Sequence, residues 1–156
     1  MPIKPSTDLV KQFAHTIATG QDDLDYALRT KVVLVRLPAD AMASTATEHR
    51  LLFSDVAITL LSVKILPEAT TLADNTDYAV LNIATGDLAG GVLATPIVSP
   101  DTRAASLNGL ASNVVKTLFS GSSSIAASQR LCLNVTKQGA GKVVGQLTVA
   151  VTYQVQ

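Results

Sequence analysis

From Gln146 to Gln156 the chain alternates without a break. Leu147, Val149, Val151, Tyr153 and Val155 face one way, and Gln146, Thr148, Ala150, Thr152 and Gln154 face the other. A period of two sustained over this length requires a β-strand with one buried face. The residues on its other face carry no charge, which suits a surface that is half wet or covered by a neighbour. Such a strand needs a sheet to lie in, and the rest of the chain must supply the other strands.

Several segments follow the same pattern. Residues 130–137 alternate Leu131, Leu133 and Val135 against Cys132, Asn134 and Thr136. The glycine-bearing stretch 138–142 separates this run from the last one, so the two are expected to form a hairpin. Residues 31–37 form a β-branched run ended by Pro38. Leu51 to Phe53 is a short apolar run. In residues 56–66 the apolar positions are Val56, Ile58 and Leu60, then Val63 and Ile65. That change of parity at Leu60 and Leu61 marks a bulge or full burial. Pro67 closes the run, and residues 68–77 read as a polar connection. Residues 78–83 form another strand, expected to stop at Thr85, Gly86 and Asp87. Gly90 and Gly91 lead into residues 92–98, where Pro96 demotes the strand to an edge. Asn108-Gly109 signals a turn. Residues 112–119 read as a strand, because valine and threonine outweigh a helical spacing of apolar residues. The Gly/Ser-rich stretch 120–124 is expected to be a loop.

The beginning of the chain differs. Leu9, Val10, Phe13 and Ile17 lie on one face of a short helix that Ser6 or Thr7 could cap and Gly20 could end. Asp22, Asp23 and Asp25 form a small acidic cluster. Residues 1–30 therefore read as an N-terminal arm containing a short helix. Residues 31–156 read as a β-domain of seven or eight strands. Regular strands without alternating helices predict an all-β, antiparallel β-sandwich, jelly-roll-like at this size. The apolar stripe of the arm docks either on the chain's own sandwich or on a partner. For the second case, Leu9, Val10, Phe13 and Ile17 are the candidate contact residues.

Composition narrows the function. The chain has 156 residues, 47% apolar and 15% charged, with no net charge. A nucleic-acid binder or a polybasic membrane-surface protein would need a basic face. No apolar run approaches the ~20 residues of a membrane-spanning helix. The charged fraction is well below the ~25% of ordinary soluble domains. Mean hydropathy is +0.34. Together these values suggest surface that other chains hide. The one cysteine, Cys132, can form no disulfide within the chain. The start lacks the apolar core and cleavage site of a signal peptide, so synthesis in a reducing compartment is expected.

A search for chemistry finds little. The two histidines, His15 and His49, have no further ligand at metal-binding spacing. Ser54, His49 and Asp55 could form a triad on paper, but the chain has no nucleophile-elbow motif. Gly139, Gly141 and Gly145 faintly resemble a phosphate loop, but the stretch joins strand to strand and offers no helix N-terminus. Asp74-Asn75-Thr76-Asp77 resembles the start of a calcium loop without its glycine or closing glutamate, so a surface turn is expected. Asn134-Val135-Thr136 is a formal glycosylation sequon in mid-strand. Aromatic residues are 4% of the chain and tryptophan is absent, which weighs against a sugar-binding platform. The expectation is no catalytic residue, no metal and no cofactor.

Residues 56–60 (Val-Ala-Ile-Thr-Leu) and 72–83 (Leu-Ala-Asp-Asn-Thr-Asp-Tyr-Ala-Val-Leu-Asn-Ile) resemble the small jelly-roll decoration, or cement, proteins and head-fibre domains of tailed-phage virions. Residues 125–141 and 147–153 are similar to the closing hairpin of those proteins. The resemblance covers about residues 55–156 and rests mostly on turn chemistry and alternation. It departs at Ser128-Gln129, where that family more often has Gly-Asp. It implies a non-enzymatic structural protein at the capsid surface of a virion, a homotrimer bridging subunits of the major capsid protein. A receptor- or glycan-binding head-fibre domain is the alternative, and an unrelated jelly-roll enzyme or lectin comes third.

Overall fold

The computed structural model describes residues 29–39, 47–87, 96–140 and 142–156. It is an antiparallel β-sandwich. The strands are β1 (Thr30–Leu37), β2 (Thr47–Ser54), β3 (Ile58–Pro67), β4 (Tyr78–Asp87), β5 (Lys116–Ile125), β6 (Gln129–Gln138) and β7 (Leu147–Val155). One sheet has the order β1-β7-β3-β5 and the other β2-β6-β4. Each strand is followed by one in the opposite sheet, so the chain winds around the core in jelly-roll fashion.

The core lies where the alternating apolar faces meet. Leu147, Val149 and Val151 of β7 are buried, as the alternation requires, against Leu131, Leu133 and Val135 of β6 and Leu81 and Ile83 of β4. Leu110 and Val144, both from connections, are also fully buried in it. The parity change in β3 is a bulge. Both neighbours of β3 pair with Leu60 and Ser62 and skip Leu61, so Ile58 and Leu60 point inward before it and Val63 and Ile65 after it.

The far edge of β4 is covered by residues 97–102. Ile83 N donates to Val98 O at 2.9 Å, Leu81 N to Pro100 O at 2.8 Å, and Thr102 N to Ala79 O at 3.0 Å. This is the edge position that Pro96 implied, although residues 88–95 of that segment lie outside the described residues. Asn108 and Gly109 both have positive φ, as a tight turn there demands.

Four expectations are corrected. The first is the hairpin: β6 and β7 lie in different sheets and do not pair. The connection crosses the end of the sandwich instead, and Gly139 (φ +64°) lets it approach the backbone of Thr76. Second, the stretch 120–124 is strand, not loop. β5 runs through it, pairing Ser123 with Leu60 and Ser124 with Thr59. As an edge strand it needs buried side chains only at Leu118 and Ile125, so small polar residues suffice between them. Third, β4 does not stop at Thr85. Gly86 continues the pairing opposite Arg130, where a Cβ would stand 3.0 Å from the Arg130 guanidinium carbon. That glycine serves close approach, not a turn. Fourth, the strand expected over residues 112–119 begins only at Lys116, and the run at Leu51 is the middle of the longer β2.

Candidate interaction surfaces

The outer face of the four-stranded sheet is built from the positions that alternate with its core. β1 contributes Val32 and Leu34, which are 61% and 69% exposed. β7 contributes Thr148, Ala150 and Thr152, all half-buried and uncharged. Beside them runs a shallow groove of about 300 Å³ lined by Leu34, Lys64, Ile65, Leu66, Val115, Thr148 and Ala150. Lys64 is the one charged residue of that lining. The uncharged outer face of β7 was legible in the sequence. The contributions of Leu66 and Val115 were not, because they reach the groove from other parts of the chain.

One end of the sandwich is also apolar. Phe53 and Val56 are about half exposed there. The described chain begins at that end too, since Thr30 pairs with Gln154 while Ile58 pairs with Val155 and Ile125. A concavity of about 480 Å³ lies nearby, lined by Arg50, Leu51, Leu52, Phe53 and Arg130.

Arg130 is buried although it points away from the core. Its Nε donates to Glu48 Oε1 at 3.0 Å, and Asp87 Oδ1 lies 3.9 Å from Nη1. Cys132 Sγ donates to the same Glu48 oxygen at 3.4 Å. Burial works against the Glu48 carboxylate, but the hydrogen bonds from Arg130 and Cys132 and the nearby cations outweigh it, so its pKa lies below the usual value. Burial, followed by the Glu48 charge, pushes the Cys132 thiol up to about 11. A thiol so disposed is a poor nucleophile at neutral pH. The group is a charge-balanced structural network that joins β2 to β6 and β4.

The remaining candidates from the sequence are not brought together. His49 and Ser54 lie on the same strand five residues apart, roughly 16 Å at ordinary strand rise. The Ser54 hydroxyl donates to Val56 O at 2.7 Å. No group of three or more His, Cys, Asp or Glu among the described residues is placed to hold a metal ion. Asn134 of the sequon is half-buried in mid-β6. Leu9, Val10, Phe13 and Ile17, with His15, lie outside the described residues.

Asp74 is committed to its own loop. One carboxylate oxygen accepts from Thr76 N at 2.9 Å and Asp77 N at 3.0 Å, and the other lies 3.1 Å from Lys142 Nζ. The hydrogen bonds from Asp77 and Thr76, then Lys142, hold its pKa at about 2. An unfolded aspartate titrates near about 3.9. The stabilisation from Asp74 is therefore complete above that value and is lost as pH falls through about 2. Asp101 is lowered in the same sense, chiefly by the hydrogen bond from Arg103 at 2.6 Å. Calorimetry should thus give a melting temperature that falls between about pH 4 and pH 2, and Asp74→Ala should both lower it at pH 7 and flatten that fall.

A scan of the chain against protein-family models finds no match, and a search of curated proteins finds none.

Proposed function

We propose that this chain is a structural, non-enzymatic protein of a tailed-phage virion, a homotrimer that decorates and stabilises the capsid by bridging adjacent major-capsid subunits. The observation that carries the reading is the apolar outer face of the four-stranded sheet. A sandwich standing alone gains nothing from Val32, Leu34 and Val115 in water. Packed against sister copies, that face is buried. The apolar end with Phe53 and Val56, where the described chain begins, faces the shell in this reading, with Leu9, Val10, Phe13 and Ile17 of the arm in the contact. Three copies on one shell bind with avidity, and binding that exists only in the assembled shell stabilises it by mass action.

Removing residues 1–28 should leave a folded trimer by light scattering that decorates shells poorly. Full occupancy by the truncated chain would remove the arm from the contact. A full-length monomer at micromolar concentration, or no copies at the shell surface by imaging, would end the reading. A second reading, a receptor- or glycan-binding head-fibre domain, draws on the concavity beside Phe53 and Arg50. It requires saturable binding to host surface glycans, abolished by Phe53→Ala.

A further inference from the structure

The edges of the two sheets are not alike. Residues 97–102 cover β4. β2 is bulged between Arg50 and Leu52 and carries Glu48 and Arg50. β5 loses register twice against β3 and is rich in serine. These are the devices by which sheets avoid pairing edge to edge. β1 carries Lys31 and Arg36, but among the described residues it has neither a cover nor a bulge. It pairs with β7 over eight consecutive residues without a shift. It contains no glycine, proline or bulge, and Val32, Val33 and Val35 are strong strand formers. Among the described residues nothing pairs with its far side.

We propose that β1 is a self-association strand: the β1 edges of two copies pair antiparallel across a twofold axis at Val33, joining two four-stranded sheets into one of eight strands. The register follows from charge and pattern. Residues directly opposite in an antiparallel pair share a face, so Thr30, Val32, Leu34 and Arg36, which lie on the outer face of β1, must oppose one another. Centring the axis on Val33 sets Val32 against Leu34 of the second copy, and Leu34 against its Val32. Both exposed apolar side chains then meet an apolar partner. Arg36 falls opposite Thr30, and Lys31 opposite Val35, so no like charges meet. Moving the register by two residues in either direction sets Thr30 or Arg36 against one of the apolar pair. This contact is separate from the threefold one proposed above and does not depend on it. In a decorated shell it would link neighbouring trimers.

Sedimentation velocity of the full chain from about 1 to about 200 µM tests this, with hydrogen exchange on the same samples. The sedimenting species should double in mass as concentration rises, and the amides of residues 31–35 should gain protection in the doubled species. Val32→Lys should raise the concentration needed for doubling at least about tenfold, whereas Val143→Lys, at an equally exposed valine in the β6–β7 connection, should not change it. The proposal is overturned if mass never doubles, if Val32→Lys leaves the doubling unchanged, or if the β1 amides exchange equally in both species. Trimers that never double would sink this contact and leave the threefold reading intact. Monomers that only double would do the reverse.

Discussion

Gly139→Ala is expected to destabilise the domain by about 2–4 kcal/mol in urea unfolding. Gly139 has φ +64°, a conformation that costs an L-residue roughly 1–2 kcal/mol. The larger part is contact. A Cβ there would overlap Asp77 Oδ1 and stand 2.5 Å from the carbonyl oxygen of Thr76. Neither can step aside cheaply. Asp77 Oδ1 accepts from Ala140 N at 2.6 Å, and the Thr76 and Asp77 amides are tied to Asp74. Two residues on, the chain enters β4. Exposed Ala140→Gly is the control, with an expected loss under ~0.5 kcal/mol. A loss below ~1 kcal/mol for Gly139→Ala would mean that the connection can move off the Asp74 loop at little cost.

Ile83→Ala should cost about 3–4 kcal/mol. Ile83 is fully buried, paired with Leu133 on one side and bridged to Val98 on the other. Truncation removes three carbons from a site walled by two strands and a hydrogen-bonded edge segment, so the space cannot collapse. Ile83→Val should cost only about 1 kcal/mol, and Val32→Ala on the exposed edge less than ~0.5 kcal/mol. Domains of this kind have about 5–15 kcal/mol in total, so Ile83→Ala alone should shift the unfolding midpoint visibly at 25 °C. Equal losses at Ile83 and Val32 would contradict the assignment of core and surface.

The parts of this fold legible in the sequence are those set by one-sided burial. The alternation in β7 and the parity change around Leu61 both report which side chains face the core, and both read correctly. Turn chemistry was less informative. The glycines near residue 140 signal a reversal but not the sheet to which the chain returns, so an expected hairpin became a crossing. Composition misled at 120–124, because an edge strand anchored by Leu118 and Ile125 tolerates serine between them. The surfaces were half legible. The uncharged face of β7 stood out, but the groove also needs Leu66 and Val115, and the Arg130–Glu48 pair joins residues 82 apart on different strands. No local pattern encodes such meetings.

The strict alternation of strands between sheets has a consequence for synthesis. Among the described residues every ladder joins segments distant along the chain, and β1 lies next to β7. A nascent polypeptide therefore holds β1 and β3 without the strand that belongs between them until residues 147–155 have left the ribosome. The four-stranded sheet must wait for β7 and close slowly, and until then the newborn chain carries one side of β1 and one side of β3 without the strand that pairs with them.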